Sequence, residues 1–162
     1  MNAPMPLSPD ALARIDKAVA KYPADQKQSA VMAALTIAQD EKGWLSAEIM
    51  DFVAQYLAMP PIAVYEIASF YTMYDLQPVG RCKLAICTNL PCALQGANVA
   101  AEHLKHKLGI GFGETTPDGG FTLKEAECLG ACGDAPVLLV NNKRMACAMT
   151  ADKLDKLIEE FR

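Results

Sequence analysis

The chain has 162 residues, enough for one ordinary domain or two small ones. Hydrophobic residues make up 52% of it, which provides a core and argues against disorder. The net charge of −4 comes without a basic block, which argues against a nucleic-acid partner, and no apolar run approaches the roughly 20 residues of a membrane span.

The first half reads as helices. Ser8 is an N-cap with Pro9 at the first helical position, followed by Leu12, Ile15, Val19 and Ala20 at helical spacing until Tyr22-Pro23. A second helix is expected from about Gln26 to Glu41, with Val31, Leu35 and Ile37 inward and Gly43 closing it. Ser46 caps a third, whose stripe is Ile49, Phe52, Val53 and Leu57. Pro60-Pro61 starts a fourth, from Ile62 to about Tyr71. These four predict a helical bundle over residues 1–78.

The pattern changes near Pro78-Val79-Gly80. Lys83–Cys87 reads as a strand and Gln95–Leu108 as a helix ended by Gly109. Glycines and turn formers fill Gly109–Gly120, and Gly109-Ile-Gly111-Phe-Gly113 within it reads as a flexible connection, its spacing not that of a nucleotide fingerprint. Phe121–Glu127, Pro136–Val140 and Arg144–Met149 read as strands, and Thr150 caps a last helix from Ala151 to Phe161. The expectation is therefore α+β: a helical bundle over 1–78, then a small α/β domain with a mixed sheet over 79–162.

Four of the six cysteines form two tight pairs. Cys87 and Cys92 frame C-T-N-L-P-C; Cys128 and Cys132 frame C-L-G-A-C within E-C-L-G-A-C-G-D-A-P. The N-terminus lacks the basic start and apolar stretch of a secretory signal, so the thiols are expected in a reducing compartment, where structural disulfides are rare. That favours a metal site. Cys87 and Cys128 each end a predicted strand, and loops at matching ends of neighbouring strands converge. Gly130 and Gly133 let backbone approach sulfur. Leu90, Leu94 and Leu129 are candidates to shield the site from water. The pairs are separated internally by four and three residues, within the about two to four common at structural zinc sites. A [2Fe–2S] cluster also takes four cysteines, two per iron. Spacing alone leaves iron–sulfur and zinc open; dithiol chemistry is less favoured because no C-x-x-C occurs.

The extended motifs resemble those of the thioredoxin-like [2Fe–2S] subunit of complex I, known in bacteria as the E subunit of NADH–quinone oxidoreductase and in mitochondria as flavoprotein 2. The resemblance covers nearly the whole chain and includes A-S-F-Y-T-M-Y at 68–74 and the following Pro78-Val79-Gly80. It implies a thioredoxin-like domain holding one [2Fe–2S] cluster on Cys87, Cys92, Cys128 and Cys132, with Cys87 and Cys92 on one iron and Cys128 and Cys132 on the other. It implies a partner subunit that binds FMN and NADH, and a non-catalytic role in electron transfer for this chain. It implies a cytoplasmic position peripheral to the inner membrane in a bacterium, or the matrix side in a mitochondrion. Related subunits of NAD-linked formate dehydrogenases and of hydrogenase diaphorase parts share the motif. A zinc-stabilised interaction module is the rival from another class. The loaded site would be anionic, and Glu127 and Asp134 beside it would make reduction harder, so a low potential is expected.

The remaining candidates read as ordinary structure. Cys82 and Cys147 are expected to be small packed thiols rather than ligands. His103 and His106 lie three apart among Glu102, Lys105 and Lys107, as on a solvated helix face. Trp44 is expected to pack in the bundle, and Phe70, Tyr71 and Tyr74 read as core aromatics or a partner contact.

Overall fold

Ser8 begins the helical part: its hydroxyl accepts from the Ala11 N–H and starts α1, Pro9–Val19. The computed structural model describes residues 6–162, and the chain divides into two compact units, Met1–Pro78 and Val79–Arg162.

In the first unit, α1 presents Ala11, Ile15 and Ala18 to the interior. The expected second helix starts later and tighter than its sequence pattern suggests. Lys27–Ala30 is a 3-10 turn, and α2 follows over Val31–Lys42 until Gly43, whose φ of 85° is open to glycine without strain. The helix α3, Ala47–Tyr56, is capped by the Ser46 hydroxyl, which accepts from the Ile49 N–H. Ile49, Val53 and Leu57 are buried as expected, while Phe52 is only half-buried. The helix α4, Pro61–Phe70, completes the set.

Leu35, Leu45, Val53, Leu57 and Val64 form the centre of this unit's core. The segment after α4 is tied down by polar contacts that the sequence pattern does not announce. Buried Gln39 donates its amide to the Met73 carbonyl at 3.0 Å and accepts from the Asp75 N–H at 2.7 Å, and the Asp75 carbonyl accepts from the Leu45 N–H. The Tyr74 hydroxyl donates to the Met32 carbonyl at 2.9 Å. Tyr74 is therefore a core residue, whereas Phe70 and Tyr71 are exposed, and Trp44 is half-buried.

The second unit is a four-stranded mixed sheet in the order β2-β1-β3-β4. Its strands are β1 Cys82–Cys87, β2 Phe121–Ala126, β3 Leu138–Val140 and β4 Arg144–Ala146. The pair β1–β2 is parallel and in register from Cys82↔Phe121 to Cys87↔Ala126. The pairs β1–β3 and β3–β4 are antiparallel. The short helix α5, Leu90–Leu94, follows β1. A parallel neighbour needs a crossover, and α6, Ala97–Leu108, supplies it. The C-terminal helix α7, Ala151–Glu160, packs beside it. Thr150 has the backbone geometry of a cap, but its side chain makes no capping hydrogen bond.

Strand alternation sends Cys82, Leu84 and Ile86 to the face that meets Leu104 of α6 and Leu154 and Ile158 of α7. His103 Nε2 lies 2.8 Å from Asp155 Oδ1, joining α6 to α7, and this hydrogen bond holds the Asp155 carboxyl below its ordinary range. His106 is exposed on the same helix. The glycine-rich stretch after α6 is not a loose connection. It runs back along β2, with the Gly113 N–H donating to the Leu123 carbonyl and the Leu123 N–H donating to that of Glu114, and Thr115 bridges to Thr122.

Candidate metal centre

Cys87 is the last residue of β1, and Cys128 lies two residues past the end of its parallel neighbour β2. The register partner of Cys87 is Ala126, so the ladder itself carries both loops to one end of the sheet. Cys87 is held further by its N–H, which donates to the Val137 carbonyl at 3.1 Å.

Cys92 has a local setting that the sequence pattern does not give. It precedes the long helix α6, as the sequence suggests, but sits inside a short helix of its own, α5. Gly96, at φ 90°, separates α5 from α6, so the stretch expected as one helix from Gln95 becomes a turn and a new start. Cys132 begins a 3-10 turn, Cys132–Asp134. Gly130 adopts φ 75° inside C-L-G-A-C, a conformation that glycine takes without cost. Gly133 has no such requirement: its φ is ordinary and nothing lies within 4 Å of an added Cβ.

The pairs come together. Cys128 and Cys132 have their Sγ atoms 3.6 Å apart. Two sulfurs on one tetrahedral metal, each about 2.3 Å from it, would be about 3.8 Å apart, so this pair is spaced to share an ion. Cys92 and Cys87 are joined by a side-chain hydrogen bond, and Cys92 senses the charge of Cys132 as well. Burial pushes the Cys92 thiol up to about 11, and the Cys87 contact adds to this. The Cys132 thiol is raised first by its hydrogen bond with Cys128, then by burial and by the charges of Cys128 and Cys87. All six cysteines are free thiols.

Among the described residues no three His, Cys, Asp or Glu side chains close around a single ion. The sulfurs form two pairs, Cys87 with Cys92 and Cys128 with Cys132, near enough that the charge of one pair acts on the other. The pairs differ in exposure: Cys87 and Cys92 are buried, Cys132 is half-buried and Cys128 is exposed.

A small apolar cluster backs the site. Ala97 and Val137 are buried with Cys87 and Cys92, and Leu129, Ala131, Ala135 and Cys147 pack against them. Leu129 is half-buried against this cluster. Leu90 and Leu94 are instead 72% and 77% exposed, because α5 turns its Cys92 face inward and these two outward. Cys147 lies behind the centre, while Cys82 is buried in the separate core under the helices. Burial and the charge of Glu160 raise the Cys82 thiol to about 11.

Several polar residues at the site escape the cysteine pattern. The Thr88 hydroxyl donates to Glu125 Oε1 at 2.6 Å, and the Asn89 amide donates to Glu127 Oε2 at 3.0 Å. Glu127 stands out beside Cys128, but Thr88, Asn89 and Glu125 become visible only through the β1–β2 register.

A mixed sheet with crossover and C-terminal helices, carrying two cysteine pairs at and just beyond the ends of two parallel strands, defines a thioredoxin-like metal–sulfur protein. The chain belongs to the thioredoxin-like [2Fe-2S] ferredoxin family, whose pattern matches residues 15–162. It is 46% identical over 148 residues to the E 2 subunit of the NADH-quinone oxidoreductase of Rhizobium meliloti, covering 91% of this chain and 86% of that protein. It is 39% identical over 160 residues to the mitochondrial NADH dehydrogenase [ubiquinone] flavoprotein 2 of Dictyostelium discoideum, covering 96% of this chain and 65% of that one. Among solved structures, it is similar to an NAD+-reducing [NiFe]-hydrogenase in the H2-reduced state, with a TM-score of 0.71 and 25% identity. That likeness covers 81% of this chain and 22% of the hydrogenase chain.

Proposed function

We propose that this chain is an electron-transfer subunit of an NADH–quinone oxidoreductase, binding one [2Fe–2S] cluster through Cys87, Cys92, Cys128 and Cys132. The partner is a subunit that binds FMN and NADH, with which this chain exchanges one electron. The observation that carries the proposal is the two cysteine pairs brought to the same end of the sheet by the parallel register of β1 and β2.

When bound, the cluster supplies a one-electron donor and acceptor. The chain's own residues hold and shelter it. Cys87 and Cys92 anchor it on the buried side, with Val137, Ala97 and Leu129 excluding water. Cys128 marks the exposed side, through which an electron enters or leaves. Exposed Leu90 and Leu94 lie on the helix that carries Cys92, and the partner covers them. We assign NADH oxidation to the partner and electron transfer to this chain. Residues 79–162 are the cluster domain, and residues 1–78 are a helical bundle that helps dock it. No helix among the described residues is long and apolar enough to cross a membrane. We assign the chain to the cytoplasmic periphery of the inner membrane, or to the matrix side in a mitochondrion.

The likeness to the NAD+-reducing hydrogenase supports a second reading, in which the same module serves a hydrogenase diaphorase. The higher identity to the oxidoreductase subunits favours the first. Anaerobically purified protein tests the cluster: red-brown colour and the EPR signal of one [2Fe–2S] centre on reduction are expected. A colourless protein holding stoichiometric zinc would overturn it in favour of the zinc-stabilised module. Co-purification with an FMN-containing NADH-oxidising subunit and no hydrogenase subunit separates the first two readings.

A further inference from the structure

We propose that Thr88, Asn89, Glu125 and Glu127 form a strap that fixes the two cysteine loops relative to each other and so positions them for a binuclear cluster. This rests on the cluster reading above. The register of β1 and β2 supports the loops only as far as Cys87↔Ala126, and Cys92 and Cys128 both lie beyond it. Past that point two side-chain hydrogen bonds cross from the loop after β1 to β2 and its continuation: Thr88 to Glu125 at 2.6 Å and Asn89 to Glu127 at 3.0 Å.

The Asn89 bond is the informative one. Asn89 is the N-cap residue of α5, the helix that carries Cys92. An asparagine there ordinarily turns its side chain onto the first N–H groups of its own helix. Asn89 makes no such bond; its amide reaches Glu127 instead, one residue before Cys128. The strap therefore links the start of the Cys92 helix to the residue next to Cys128. Its acceptors are carboxylates, which give stronger hydrogen bonds than neutral oxygens. A carboxylate beside an anionic centre is electrostatically unfavourable, and its use as a tie between the loops accounts for its place. Both bonds run between these four residues rather than to a sulfur, so they are positioning residues that act through the loops.

The test uses the full chain loaded with its cluster, with the double variant Thr88→Val, Asn89→Leu compared with parent. Bleaching of the visible absorbance in excess chelator should be about tenfold faster, equivalent to about 1.4 kcal/mol. The EPR g-values of the reduced centre should shift, because the two irons' ligand pairs are no longer held in one arrangement. Thr88→Ser, which keeps the hydroxyl, should restore parental bleaching and g-values at that position. A double variant with parental bleaching and parental EPR would overturn the strap while leaving the cluster reading intact. A parent chain that binds no cluster would overturn both.

Discussion

Replacing Gly80 by alanine should destabilise the second unit without disturbing the metal centre. Gly80 enters β1 against the turn that precedes β2: its N–H donates to Thr122 Oγ1 at 2.7 Å, and the next two N–H groups donate to the Gly119 and Gly120 carbonyls. A Cβ at Gly80 would lie 2.9 Å from the Phe121 carbonyl carbon, and 3.0 Å from both the Gly119 oxygen and the Phe121 nitrogen. All three are backbone atoms, so no side chain can swing away. Ordinary contact begins near 3.4 Å, so the two segments must part by about half an ångström. The φ at Gly80 lies outside the left-handed region, so the cost is steric rather than conformational. Overpacking of this kind costs about 1–3 kcal/mol and a weakened hydrogen bond about 1 kcal/mol more, offset by about 0.5–1 kcal/mol from a stiffer unfolded chain. A net loss of about 2 kcal/mol is expected. Urea denaturation of the metal-free protein followed by circular dichroism measures it, with Gly133→Ala, which meets open space, as the control within about 0.5 kcal/mol. The EPR spectrum of the loaded variant should match parent, because Cys87 lies at the far end of β1, about 16 Å or more away. A Gly80→Ala protein as stable as the control would refute the steric reasoning.

Cys82→Ser and Cys147→Ser should each keep the full visible absorbance of the cluster, although Cys82→Ser places a hydroxyl in an apolar core and should lower stability by about 1–3 kcal/mol; bleaching in either would show that the four-ligand assignment is wrong. Glu41 accepts from the Ser8 hydroxyl and N–H and pairs with Lys42, and the Ser8 hydroxyl bond is the largest cause holding its pKa at about 2, below an unfolded value of 4.5. A folded pKa below the unfolded one contributes stability above pH 4.5, and that contribution is lost as pH falls towards about 2. Parent should therefore be more stable than Glu41→Gln near neutrality, with the gap closing between those values; a gap that is constant across denaturation curves in that range would exclude the linkage. Leu104→Ala, at a fully buried site between sheet and helices, should cost about 2–5 kcal/mol by thermal or urea unfolding. A smaller loss would mean that α6 is not the cover of this core.

Short-range chemistry made much of this protein legible from its residues. Ser8 and Ser46 announce helix starts because a hydroxyl in that position satisfies an N–H its own helix cannot, and Gly43 and Gly109 announce ends because only a left-handed residue closes the last turn cheaply. The paired cysteines, a few residues apart, pointed to a metal site, and the longer motif around them pointed to iron and sulfur by resemblance. Tertiary structure alone decided what depends on residues distant in sequence. The parallel register of β1 and β2 brought the pairs to one end of the sheet and set Thr88 and Asn89 within reach of Glu125 and Glu127. The turn at Gly96 made Cys92 part of its own short helix and left Leu90 and Leu94 outward, though their apolar character alone suggested burial. Composition and spacing act over a few residues; which sulfur is buried and which is exposed is decided by which strands become neighbours.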